Sequence, residues 1–61
     1  MENLNEKLTE IYNLMDEFKE NSTKQAEKGN KAAGTRARKA SLELEKVLKE
    51  FRKVSLEESK K

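Results

Sequence analysis

Residues 25–36 read QAEKGNKAAGTR, and they contain both glycines, Gly29 and Gly34, of a 61-residue chain that has no proline. Gly29-Asn30 has the form of a helix stop followed by a helix start. Glycine enters the left-handed position after a helix without steric penalty, and asparagine is a good N-cap. Cutting there leaves a first helix of about 3–28 and a second of about 31–56, each roughly 26 residues or ~39 Å long at 1.5 Å per residue. Gly34-Thr35, with Thr35 as N-cap, is the rival cut; it gives unequal arms, and length matching favours the first. Residues 57–61 form an expected frayed tail, and Asn3 or Asn5 is available to cap the first helix.

Both arms carry the pattern of a helix that packs on another helix. Leu4, Leu8, Ile11, Met15, Phe18, Ser22 and Gln25 are spaced 4-3-4-3-4-3, and so are Ala33, Ala37, Ala40, Leu44, Val47, Phe51 and Val54. These are a/d stripes of three heptads. Tyr12 and Leu14 widen the first and Leu48 the second, as a bundle helix requires. β-branched residues are scarce and nothing alternates with period two, so strands are not expected. The fold class is therefore all-α: an antiparallel helical hairpin in one domain, 1–61, with Leu4, Leu8, Ile11, Met15, Phe18, Ala37, Ala40, Leu44, Val47, Phe51 and Val54 as core or oligomer contacts.

With 33% hydrophobic and 43% charged residues, a lone hairpin cannot close a core. Small domains add disulfides, a metal or further subunits. Cysteine and histidine are absent, which removes the disulfide and the ordinary zinc ligands and leaves oligomerisation. A homodimer, two hairpins facing each other as an antiparallel four-helix bundle, is the expected assembly. Met1-Glu2-Asn3 does not open a secretion signal and no apolar run is long enough to span a bilayer, so the chain is expected to be cytoplasmic.

Catalysis has little to work with. The chain offers neither His nor Cys as base or nucleophile, and it has no glycine-rich phosphate loop. Glu43, Glu45 and Glu50 lie among Lys and Arg, where ion pairing is their expected role, and no glutamate falls on a seam. No enzyme, metal or cofactor is expected.

Charge is segregated. Residues 1–23 carry −4, residues 24–40 carry +5 and residues 41–61 carry +1. Projected at 100° per residue with Leu44 inward at zero, Lys31, Lys39, Lys46, Lys49 and Lys53 fall between about 140° and 220°, and Arg38 near 120°. Lys24 and Lys28 join them from the hairpin end, Arg36 lies nearer the seam, and Arg52 and Lys53 close the far end. Cations so spaced can follow a phosphate backbone and release counterions. No aromatic residue, Asn or Gln interrupts the stripe, which predicts phosphate and shape recognition without base readout. Small residues near the turn (Ala32, Ala33, Gly34, Ala37) are expected to let the backbone approach DNA. Leu42 projects into the basic face and reads as an isolated exposed leucine. Glu6 and Glu10 are expected to pair with Arg52 or Lys53, which would concentrate DNA binding at the turn.

Residues 28–55, KGNKAAGTRARKASLELEKVLKEFRKVS, closely resemble the bacterial linker-histone-like proteins of the chlamydial nucleoid. The GNKAAG turn, the RARK cluster (Arg36, Arg38, Lys39) and the LKEFRKVS ending carry the likeness, while the first helix is similar in pattern and length. The resemblance implies a nucleoid-associated, DNA-compacting role resting on Lys28, Lys31, Arg36, Arg38, Lys39, Arg52 and Lys53. Chlamydial members carry a long Lys/Ala-rich tail; with its end at Lys60-Lys61, the chain is expected to be a short form without it. The expected function is nonspecific binding and bridging of duplex DNA by a dimer, through Lys24, Lys28, Lys31, Arg36, Arg38, Lys39, Lys46, Lys49, Arg52 and Lys53. A helical module that docks a protein partner, or an RNA-binding hairpin dimer, are the alternatives.

Overall fold

The computed structural model describes residues 3–60, which form two helices, α1 (Leu4–Lys28) and α2 (Lys31–Ser59), packed against each other as a hairpin. Each boundary has a local cause. The Asn3 side chain accepts from the Glu6 N–H at 2.9 Å, capping α1 in place of Asn5. Gly29 ends α1 in the left-handed region (φ 64°, ψ 26°), with its N–H donating to the Gln25 carbonyl at 2.9 Å. Asn30 then starts α2 by accepting from the Ala33 N–H at 3.0 Å. The rival turn at Gly34-Thr35 lies inside α2, where the Gly34 N–H reaches the Asn30 carbonyl. α2 also outruns its expected end at residue 56, continuing through Ser59, whose hydroxyl donates to the Ser55 carbonyl. Glu2 of the acidic segment and Lys61 of the expected tail lie outside the described residues.

The hairpin core is narrow. Ile11, Ala33, Ala37, Ala40 and Val47 are buried, and Leu4, Leu8, Leu14, Leu44, Phe51 and Val54 are half-buried. Met15 and Phe18, expected on the seam, are 50% and 39% exposed, while Lys7 and Asn21 are buried. The reason is a rotation of α1 relative to its expected seam. It meets α2 along Leu4, Lys7, Ile11, Leu14 and Asn21, a 3-4 spacing in which Phe18 also falls, so the rotation accounts for Met15 and not for the exposure of Phe18, and the Leu8-Tyr12-Met15 edge of the apolar arc turns outward.

In the half nearest the turn, α2 presents Ala33, Gly34, Ala37 and Ala40, none larger than a methyl, and all four are buried. A Cβ on Gly34 would lie 2.5 Å from Cδ and Nε2 of Gln25. This corrects the expectation for the small residues: Ala33, Gly34 and Ala37 serve close approach of α1, and of that group only Ala32 is exposed. The result is a rod of 48 × 16 × 15 Å with a radius of gyration of 14.1 Å. A compact domain of this length would have roughly 10.5 Å.

The two glycines should respond differently to alanine. Gly29→Ala forces a methyl into the left-handed region and should destabilise by about 1–2 kcal/mol in urea unfolding. Gly34→Ala should show no net loss: a helix-propensity gain of about 1 kcal/mol offsets the swing of the exposed Gln25 side chain out of the way.

Candidate nucleic-acid interface

The cations proposed from sequence sit on the outside of the hairpin. Lys28, Lys31, Arg36, Arg38, Lys39, Lys46, Lys49, Arg52 and Lys53 are exposed, and Lys24 is half-buried and paired with Glu20 at 3.2 Å. Arg38 donates to Thr35 Oγ1 at 3.3 Å within its own helix. Leu42 is 68% exposed among these cations, without an apolar neighbour at helical spacing on its own face.

The helical period sorts them by flank. Taking Ile11 and Ala40 as facing directly inward, residues rotate by about 100° per step. On α1, Lys7, Leu14, Asn21 and Lys28 lie about 40–100° to one side, with Met15, Leu8 and Tyr12 about 40–100° to the other. On α2, Arg36, Glu43, Glu50, Lys39 and Lys46 lie about 40–120° to the first side, with Phe51, Leu44 and Leu48 about 20–80° to the second. The two first sides share a flank, since Lys7, Leu14, Glu43, Lys46, Val47 and Glu50 line one open notch. The hairpin thus has a polar flank and an apolar flank.

Two buried polar residues shape the polar flank, and neither was expected. Lys7 Nζ donates to Glu50 Oε1 at 2.9 Å; the lysine is 1% exposed and the Glu50 side chain 42%. This long-range pair stands where Glu6 and Glu10 were expected to engage Arg52 or Lys53, and no ion pair joins those residues among the described ones. It also puts a glutamate at the interhelical boundary, from which the sequence seemed to exclude carboxylates. The Lys7 hydrogen bond holds the Glu50 carboxyl below its ordinary value of 4.5 against an opposing desolvation, with further attraction from the charges of Lys7 and Lys46. Nearer the turn, Asn21 is buried; its Nδ2 donates to the Glu17 carbonyl and its Oδ1 accepts from Arg36 Nε, both at 2.8 Å. Both residues continue the Leu4-Ile11-Leu14-Phe18 spacing, the one signal that could have found them.

No group of three or more His, Cys, Asp or Glu side chains among the described residues could hold a metal ion. No helix among them is long and apolar enough to cross a membrane. The polar notch combines cations and carboxylates, with no Ser, Thr, Cys or His among the residues that line it.

A narrow all-helical hairpin with cations gathered at its turn defines a class of small charged scaffold. Within that class, the family model of the histone H1-like protein Hc1 matches residues 5–61, and the chain belongs to this family. The match takes in α1 as well as the 28–55 block that carries the sequence likeness. It is a family of histone H1-like proteins. Comparisons with curated proteins and with solved structures give no match.

The Lys7–Glu50 pair should appear in acid unfolding. Because the folded-state pKa of Glu50 is lowered, its contribution is present above 4.5 and fades as pH falls through the folded value. Glu50→Gln should lower stability at pH 7 and flatten the pH dependence below about 5, a difference that added salt reduces because the carboxylate is partly exposed. Equal pH profiles for the two proteins would remove the pair from the account.

Proposed function

We propose that this chain is a nucleoid-associated protein that binds duplex DNA without sequence preference and bridges duplexes as a dimer of hairpins. The family supports the DNA-binding part, since its members are named as histone-like. The basic surface supports a phosphate-directed mode. Lys24, Lys28, Lys31, Arg36, Arg38 and Lys39 gather in the turn half of the rod, and Lys46, Lys49, Arg52 and Lys53 extend the cations along the outside of α2. Each phosphate they neutralise releases counterions, and no side chain among them is suited to read a base edge in the major groove as Asn or Gln reads adenine. Arginine can pair with guanine, but a row spaced along a helix exterior suits the backbone better than a groove floor.

The observation that carries the bridging reading is the separation of apolar and cationic surface along the rod. Leu8, Tyr12, Met15, Leu44, Leu48 and Phe51 share one flank in the half away from the turn, with Tyr12 58%, Met15 50% and Leu48 42% exposed. The accessible surface is 4946 Å². A compact monomer of 7.1 kDa would expose about 4,100 Å². The excess of roughly 850 Å² is spread along the 48 Å rod, and its apolar part on this flank is what a partner would cover. A second copy, related by a two-fold axis through this flank, covers the apolar side chains and forms a four-helix bundle. The axis passes through the open halves, so the two turns point to opposite ends of the particle. A particle with a cationic site at each end can hold two duplexes.

Affinity for a random duplex should fall steeply with salt, with a log–log slope near 0.9 for each phosphate engaged. Arg36→Glu, Arg38→Glu and Lys39→Glu together should weaken binding by at least about tenfold at ~50 mM salt and reduce that slope by about 2–3. Salt-independent binding, or none, would overturn the DNA reading. Separately, Met15→Glu with Leu48→Glu should reduce the solution mass from twice 7.1 kDa to 7.1 kDa by light scattering. Such a variant should still shift a single duplex while losing the capture of a second one; an unchanged mass would rule out the apolar flank as the dimer interface.

A further inference from the structure

We propose that Asn21 is a positioning residue that presents Arg36 to a phosphodiester, so that this one arginine differs in kind from the surface cations around it. The inference rests on the DNA-binding reading above.

Its first support is the chemistry of the contact. The Glu17 carbonyl can only accept and Arg36 Nε can only donate, so the Asn21 amide is fixed in one orientation by its two 2.8 Å hydrogen bonds. Asn21 is 7% exposed, so its own side of these part-buried bonds is shielded from competing water. Arg36 is thereby tethered across the interhelical boundary, whereas its neighbour Arg38 only touches Thr35 one turn away.

The second support is the charge of the partner. An arginine that merely clamps two helices commonly does so on a carboxylate, which neutralises it. Asn21 orients the guanidinium and leaves its full charge in place. No carboxylate among the described residues pairs with Arg36. The residues a helical turn away on α2 are Ala32, Ala33, Lys39 and Ala40, so the nearest charge on its own helix face is another cation.

The third support is geometry. With Nε engaged, the guanidinium keeps its opposite edge, the pair of terminal nitrogens, and the residue is exposed. Two parallel N–H donors on that edge match two oxygens of a phosphate, and a guanidinium already held at Nε loses less freedom when it binds. Lysine has no counterpart to this: it can supply charge at the same place but neither the fork nor the Nε tether.

The test is a salt titration of duplex-DNA binding with full-length wild type, Arg36→Gln, Asn21→Ala and the double variant, each checked for helicity. Asn21→Ala removes the acceptor on Nε and leaves every charge in place. Arg36→Gln should weaken binding by about tenfold and lower the log–log slope by about 0.9. Asn21→Ala should weaken binding by about threefold at an unchanged slope, and the double variant should be no worse than Arg36→Gln alone. No loss in Asn21→Ala, or a loss that adds to that of Arg36→Gln, would overturn the assignment. Arg36→Lys is the check that survives if the Asn21 variant does not fold. It should hold the slope while losing about tenfold in affinity, and unchanged affinity would overturn the proposal equally. Absence of salt-dependent binding by wild type would instead remove the DNA reading, and the role of Asn21 with it.

Discussion

Two helices share one interface, and each helix of this hairpin carries a wider apolar arc than one interface can cover. The consequence is visible along α1. Ile11 is buried and Leu8 half-buried, but Tyr12 and Met15 stay in solvent, and across from them Leu48 is exposed as well. A third layer would cover that flank. In the assembly proposed above, a second copy of the chain supplies that layer.

Side-chain size divides the rod into two working halves. Near the turn, Ala33, Gly34, Ala37 and Ala40 let the helices approach closely and leave little apolar surface to share with a partner. Away from the turn, Ile11 and Val47 are buried between the helices, Leu4, Leu44 and Phe51 are half-buried, and Tyr12 and Met15 stand exposed on one flank. Cations follow the opposite gradient, with a balance of +5 over residues 24–40. A tight, small-residue half can be strongly charged outside because its stability does not depend on a broad apolar contact there.

Much of this was legible in the sequence, and the parts that were not have physical reasons. The 4-3 spacings announced two helices, and Gly29-Asn30 announced the reversal, because helix stop and start each require a specific residue type. The seam of α1 was harder. Two overlapping 4-3 stripes run along it, one through Leu8 and Met15 and one through Lys7, Leu14 and Asn21, and hydrophobicity alone favours the first. The hairpin buries the second, since a lysine stem packs like an aliphatic chain while its ammonium meets Glu50, and asparagine can satisfy both ends of its amide. Pairwise partners of this kind depend on the relative shift of two helices, which no single-helix projection contains. Ala33 and Ala37 carried two expectations, a place on the seam and approach to DNA, and their burial keeps the first; Gly34 was assigned only the second, because small size permits close approach to any partner, and its neighbour is α1.

A net charge of only +2 would seem a poor basis for binding a polyanion. What a phosphate backbone meets, however, is the local field within about 8–10 Å at physiological salt, and that distance is far shorter than the 48 Å rod. Over such a range the acidic first half of α1 is screened from the turn, where the lysines and arginines gather. In a two-fold dimer joined through the open halves, the acidic segments come together near the centre and the cationic turns lie apart. On the dimer proposed above, the acidic first helices would weaken duplex contact near the centre, where Lys46, Lys49, Arg52 and Lys53 on the outside of α2 offset them, so the charge segregation that keeps the net charge low would favour contact at the two ends.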